Sequence, residues 1–297
     1  MKQIVILSGK GGTGKTSLAG AFIHLASVQA PRMETVIADA DVDAANLELI
    51  LAPKHLESHD FSGSLLAHID PQECTSCDVC RQVCRFDAIL PGETYQVDAI
   101  ACEGCAACMY QCPEEAIHMQ GQIAGQWHRS ESHFGPLLHA DLRPAQENSG
   151  KLVTMVKQQA RLVALDTASP LLIVDGPPGI GCPVISSLSG ADLALIVAEP
   201  TASGIHDMQR ILDTAAHFNL SAVVCINKAD LYPQGTRLIA EYCQEQNLEI
   251  IGSIPFDEAV THAMMKGQPV TIAHPKSPAS QAIRSIWGKL LERVWKN

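Results

Sequence analysis

No apolar run in the 297-residue sequence approaches the roughly 18 residues of a membrane-spanning helix, so membrane association is not expected. Its first residues read as a strand and lack the cationic region, apolar stretch and small-residue cleavage site of a signal peptide, which leads to the expectation of a cytoplasmic protein. Basic residues are in deficit: 21 Lys and Arg face 32 Asp and Glu, for a net charge of −11, a balance that argues against nucleic acid as a partner. Aromatic residues make up only 4%, yet 46% of the chain is hydrophobic, enough to bury one large core plus a small module. Cysteine is the exception to this thrift. Eight of the eleven cysteines fall in two short blocks with metal-ligand spacing, and that spacing sets aside a disulfide framework.

The chain is organised by its start. Gly9-Lys10-Gly11-Gly12-Thr13-Gly14-Lys15-Thr16-Ser17 follows the apolar run Ile4-Val5-Ile6-Leu7 and opens an Ala/Leu-rich helical segment, which is G-x-x-x-x-G-K-[ST] between a buried strand and a helix. The glycines let successive N–H groups point at one phosphate, with the positive end of the helix aimed at the same place. Lys15 would reach the β- and γ-phosphates and Thr16 would hold Mg²⁺.

Each cysteine block has the form C-x₂-C-x₂-C-x₃-C: Cys74, Cys77, Cys80, Cys84, then Cys102, Cys105, Cys108, Cys112 followed by Pro113. This internal repeat has the bacterial ferredoxin pattern of two [4Fe–4S] clusters. A tight loop can supply three thiolates before the chain leaves, so the fourth is borrowed from the other repeat. Cluster one is assigned Cys74, Cys77, Cys80 and Cys112, and cluster two Cys102, Cys105, Cys108 and Cys84. Zinc is the rival metal, but zinc sites usually pair two C-x₂-C knuckles. Arg85 stands where the pattern has proline. Between His68 and Gln120 nine acids face only Arg81 and Arg85, and this acidity calls for a partner with a basic docking patch.

Around this module the chain reads as a doubly wound, mostly parallel α/β domain, residues 1–58 and 121–297, interrupted by a small α+β ferredoxin-like insertion over 59–120. A helix is expected from the loop to about Ala30, ended by Pro31, and a strand at Thr35 to Ala38 running into Asp39, Asp41 and Asp43. Phe61, Leu65, Ala67 and Ile69 alternate like a short strand. His128, His133 and His139 lie in short alternating segments and read as scattered surface or sheet histidines. An amphipathic helix is expected from Ser149 to about Asp166, then the strand Leu171 to Val174 ending in Asp175, a Walker B arrangement. Further strands are expected at Leu193 to Ala198, Ala222 to Ile226 and Ile250 to Ile254, with a closing helix that covers the sheet.

Lys10, two residues into the loop, gives Lys-Gly-Gly-x-Gly-Lys-Thr, and this resembles the deviant P-loop of the MinD/ParA/Mrp and nitrogenase iron protein superfamily. The resemblance implies that Lys10 crosses to the nucleotide of a second subunit, so that ATP is buried in a nucleotide-gated homodimer. It also implies that Asp41 orients or activates the attacking water, that Asp39 helps organise Mg²⁺, that Asp175 holds the Mg²⁺ shell, and that the Gly179 amide in Asp-x-Pro-Pro-Gly senses the γ-phosphate. Glu199-Pro200-Thr201 is similar to a family loop near the dimer face. Asn227 looks like the base-contacting residue, and Pro255, Phe256 and Asp257 occupy positions that line the base pocket in relatives. Asn227-Lys228-Ala229-Asp230 is also the guanine signature of GTPases, so Asp230 leaves GTP open beside ATP. Cys182, seven residues after Asp175, resembles the spacing at which the nitrogenase iron protein places a cluster cysteine, although no second cysteine lies between Cys112 and Cys182.

The functional expectation is an ATPase whose nucleotide state gates electron transfer from two [4Fe–4S] clusters to a redox or metallocluster partner. A cluster carrier or assembly ATPase of Mrp type, and a positional ATPase whose clusters sense redox state, are the alternatives.

Overall fold

The strands at the centre of the fold are apolar on both faces, as buried parallel strands must be. In the computed structural model, which describes residues 1–29, 33–143 and 149–296, Ile4 to Leu7 of β1 (Lys2–Ser8) and all of β2 (Thr35–Asp39) are buried. Between them, α1 (Lys15–Val28) begins at Gly14. The helix stops at Val28; Ala30 and Pro31 lie outside the described residues. α2 (Leu47–Leu51) follows, and then β3 (Lys54–Ile69). The short strand expected around Phe61 to Ile69 is in fact sixteen residues long. Its first seven residues are exposed and therefore carry no burial period that a sequence could display.

The cysteine-rich stretch contributes α3 (Val79–Val83), β4 (Ile89–Leu90), β5 (Gln96–Val97) and α4 (Ala107–Gln111). It returns through β6 (Ile117–Ser132), which turns at His133-Phe134 into β7 (Gly135–Leu142). The short segments expected beyond Gly121 are thus one long hairpin. α5 (Ser149–Asp166), β8 (Leu171–Pro178), α6 (Cys182–Leu188), β9 (Leu193–Ala198), α7 (Ala202–His217), β10 (Ala222–Asn227), α8 (Pro233–Glu245), β11 (Glu249–Ile254), α9 (Glu258–Met265), α10 (Val270–Ala273) and α11 (Pro278–Trp295) complete the chain.

Two compact units result: residues 1–58, 127–141 and 149–297 form one, and residues 59–126 and 142–148 the other. The sheet order is β11-β10-β9-β1-β8-β2-β7-β6-β3, with β11, β10, β9, β1, β8, β2 and β7 parallel. One face is covered by α1, α2, α10 and α11, whose Phe22, Leu25, Leu47, Ile50, Ile283, Ile286 and Leu290 join Ile4, Ile6, Ile37 and Ile173 in a single apolar cluster. α5 and α6 pack on β2 and β8. Burying a Leu or Ile side chain is worth about 1.5–3 kcal/mol, so this layered core, and not the loops, holds the strand ends in place. Among the described residues no helix is long and apolar enough to cross a membrane.

α5 and α6 are joined by an unusual contact. Lys157 is buried on the apolar stripe of α5 beside Val153, Val156 and Ala160. Its ammonium donates to the Ser186, Ser187 and Ser189 carbonyls at the C-terminal end of α6, the first and last at 2.8 and 2.7 Å. Burial pushes its pKa down to about 7, while a helix C-terminus favours the cation.

Candidate functional site

Strand order reverses at β1, with β8 on one side and β9 on the other, and ligands of open α/β sheets bind outside the strand C-termini at such a switch point. Register places Asp39, the last residue of β2, directly beside Asp175 of β8. The loop between β1 and α1 lies at the same end. Gly14 has φ +94°, and a Cβ there would sit 2.5 Å from the Asn227 amide nitrogen; a Cβ on Gly9 would sit 2.0 Å from Asp207 Cβ. Gly14→Ala is therefore expected to cost about 1–2 kcal/mol from the left-handed backbone alone. It should also break the 2.7 Å bond from Asn227 Nδ2 to the Thr13 carbonyl. A lower denaturant midpoint together with weakened nucleotide binding would be the result; unchanged stability would mean that the loop relaxes freely.

Lys15 is buried with its Nζ 3.6 Å from Asp41 Oδ2. Burial raises the Asp41 pKa against the pull of Lys15. Asp39 accepts from the Asp41, Asn46 and Leu47 amides at 3.2, 3.0 and 3.0 Å, so it also ties down the start of α2. Its pKa is nonetheless pushed up, first by burial and then by the charge of Asp175. Asp175 is fully buried, both carboxylate oxygens lack a hydrogen-bond partner, and burial pushes its pKa up against Lys15. Thr16 faces it closely enough to lower that pKa without meeting hydrogen-bond geometry.

An unpartnered buried carboxylate is costly, and a cation would relieve it. Among the described residues no three His, Cys, Asp or Glu side chains are gathered into a ready cage for a metal ion. Mg²⁺ does not need one, since it usually keeps several waters and binds through one or two carboxylates plus phosphates.

Lys10 does not reach the carboxylates. Its Nζ lies 3.1 Å from Glu199 Oε2, and Lys228 pairs with the other oxygen of Glu199 while donating to the Gly12 carbonyl at 3.2 Å. Burial alone would raise the Glu199 pKa, but Lys228 and Lys10 hold it lower. This clamp was not visible in the sequence, where Lys10 and Glu199 are far apart. Gly179, at φ +93°, donates its amide to the Ser8 carbonyl at 2.9 Å, so that amide is committed within the chain. Asn227 braces the phosphate loop through its side-chain nitrogen and accepts from the Lys228 amide. Asp230 accepts from the Phe256 amide at 2.6 Å, and Asp257 caps α9 through Ala259 and also bonds the Ala279 amide. Ser17 lies in the first turn of α1. Cys182 is exposed at the start of α6, close against Gly150.

In the second unit the two cysteine blocks are offset by 28 residues, 74 to 102 and 84 to 112. The same offset relates the left-handed residues Ser76, Asp78 and Asp87 to Gly104, Ala106 and Glu115. Backbone bonds cross between repeats: the Asp70 amide donates to Ala116 and the Asp98 amide to Ala88, both at 2.8 Å. One cavity is lined by Cys74, Cys77, Cys80 and Cys112. Another is lined by Cys84, Cys102, Cys105 and Cys108. Four thiols spaced around a cavity suit a cuboidal cluster, whereas one zinc ion would need them within about 2.3 Å of a single point.

Of the histidines expected to be scattered, two belong to a network. His128 bonds Ser58 at 2.8 Å and Asp141 at 2.7 Å, and its ring lies 5.0 Å from that of His139 and 5.6 Å from that of His55. His133 packs instead on Phe134.

Comparison with known proteins agrees with this geometry. A family model described as the CobQ/CobB/MinD/ParA nucleotide binding domain matches residues 4–270. An uncharacterized protein of Methanocaldococcus jannaschii is 32% identical over 98% of this chain and 97% of its own. The iron-sulfur cluster carrier protein of Aquifex aeolicus is 30% identical over 41% of this chain and 37% of its own. Among solved structures, the MinD cell division protein of Aquifex aeolicus superposes with a TM-score of 0.59 at 20% identity, covering 98% of both chains.

Proposed function

The chain belongs to the CobQ/CobB/MinD/ParA family of nucleotide-binding domains, and from that premise we propose that it is a Mg-ATP-hydrolysing homodimer whose nucleotide state gates electron transfer from two [4Fe–4S] clusters to a redox or metallocluster partner. The observation that carries the reading is the presence of two separate cavities in one small unit, each lined by a full set of four cysteines. Four thiolates from one chain close a site around a resident group, which suits a relay more than a cargo. Bound there, the clusters would supply one-electron chemistry. Burial pushes the Cys80 and Cys108 thiols up, so loading should release protons.

In the ATPase unit the loop glycines and the N-terminus of α1 would hold the phosphates, Lys15 would neutralise them, and Thr16 and Asp175 would hold Mg²⁺, with Asp39 behind them. Asp41 would orient water. The Ser8 bond of Gly179 would have to open before its amide could meet a γ-phosphate, which makes this loop the candidate nucleotide sensor.

The test is anaerobic. Reconstituted, reduced protein is mixed with oxidised methyl viologen in the presence of ATP, ADP or no nucleotide, and viologen reduction is followed. Equal rates in all three would sink the gating idea. A second reading, a cluster carrier, draws on the exposure of Cys77 and Cys105 and on the carrier relative; transfer of iron to an apo-ferredoxin would favour it.

Glu199→Gln supplies a separate check. It should free Lys10 and lower the protein concentration needed for MgATP-dependent dimerisation by up to about fivefold, since partly exposed ion pairs are worth about 0–1 kcal/mol. Sedimentation velocity reads the outcome. Weaker dimerisation would mean that Glu199 belongs to the interface and does not restrain Lys10.

A further inference from the structure

β3 is the last strand of the nine-stranded sheet, and β5 pairs only with β4, so each has an edge with no strand beside it among the described residues. In the cysteine-rich unit, the end of β3 and the β5 segment border one open slot, lined by residues 66 to 69, Pro71 and residues 94 to 97. Four successive residues line it from either side. Side chains alternate between the faces of a strand, so a run of successive residues borders a space that lies along the strand's edge. Among the described residues, none of 66 to 69 or 94 to 97 makes a backbone hydrogen bond outside its own ladder. Unpaired edges of this kind are templates for an added strand.

The surroundings select the charge of the visitor. The lining contains no Lys or Arg, and Asp70, Glu93 and Asp98 directly adjoin its segments in sequence. Asp98 is committed to the Ile100 amide and Asp70 to the Gln72 amide, but Glu93 is exposed. The slot also shares Ile69 and Tyr95 with the cavity of Cys74, Cys77, Cys80 and Cys112. A segment lying in it would be one layer of side chain away from those thiols.

We propose that this slot is a docking site for a partner protein, which adds an extended basic segment as a strand between β3 and β5. That the partner is a redox protein rests on the relay reading above; the strand addition does not.

The probe is a fluorescein-labelled eight-residue peptide alternating lysine and valine, titrated by fluorescence anisotropy into the full, cluster-reconstituted chain without nucleotide or reductant. Saturable binding is expected, at least tenfold weaker when glutamate replaces lysine and lost when proline replaces alternate valines. Thr94→Trp, which fills the slot, should weaken binding at least tenfold. The exposed substitution Glu93→Lys should weaken it severalfold, and keeps the test open if Thr94→Trp fails to hold iron. Equal binding of the lysine and glutamate peptides, or undiminished binding to both variants, overturns the proposal. So does a peptide-free dimer that Thr94→Trp dissolves, because the slot would then belong to a second copy of this chain. Peptide binding that persists while viologen reduction ignores nucleotide would sink the relay alone.

Discussion

Lys10→Ala is expected to lower ATP turnover by about 10²–10³ while changing nucleotide affinity only a few-fold. Within its own chain Lys10 faces Glu199, away from Asp39, Asp41 and Asp175, and Lys15 alone enters the carboxylate group. Binding in the single chain thus does not depend on Lys10. If Lys10 serves the nucleotide of a second subunit, its loss removes charge stabilisation that exists only in the assembled dimer, which is where phosphoryl transfer gains most. Steady-state phosphate release, nucleotide titration and sedimentation in MgATP measure the three consequences. Turnover within tenfold of the unaltered protein would end the trans-acting role. Lys15→Ala should differ in kind, losing affinity as well as turnover.

Cys84→Ser is expected to halve the iron of the reconstituted protein, from about eight to about four atoms per chain. The loss should fall on the cavity lined by Cys102, Cys105 and Cys108, although Cys84 belongs to the first block in sequence. Its sulfur already accepts from the Ala88 amide at 3.4 Å and borders that cavity. Cys112→Ser should remove the other half. Iron analysis with EPR of the reduced protein distinguishes them, since each variant leaves one cluster signal. Loss of the same signal in both variants would refute the exchange of the fourth thiolate, and stoichiometric zinc in place of iron would refute the clusters altogether.

How much of this could be read in the sequence depended on the kind of signal. β1, β8, β9 and β10 are short apolar runs buried on both faces, and a motif anchors each of their C-terminal ends. α5 was legible from Ser149 to Asp166 because its apolar residues recur at helical spacing. β3 was not, since residues 54 to 60 are exposed and leave no alternation to find. β7 gave no hint that it joins β2, because parallel pairing is decided by what the sheet has left open and not by the strand itself. The pairing of Lys10 with Glu199 and the commitments of Gly179 and Asp230 are tertiary contacts, which motif spacing cannot encode. Lys157 did carry one clue: it is a charge within the apolar stripe of α5.

That lysine fixes how α6 can respond to the loop that precedes it. Three carbonyls at the far end of α6 are pinned to a buried ammonium on α5, while its near end begins just after Gly179 and Gly181. Displacement of the loop therefore cannot slide α6 along its axis without breaking all three bonds at once. A response of α6 to that loop would then be a tilt about the Lys157 end, with the larger excursion at the first turn, where Cys182 is exposed beside Gly150.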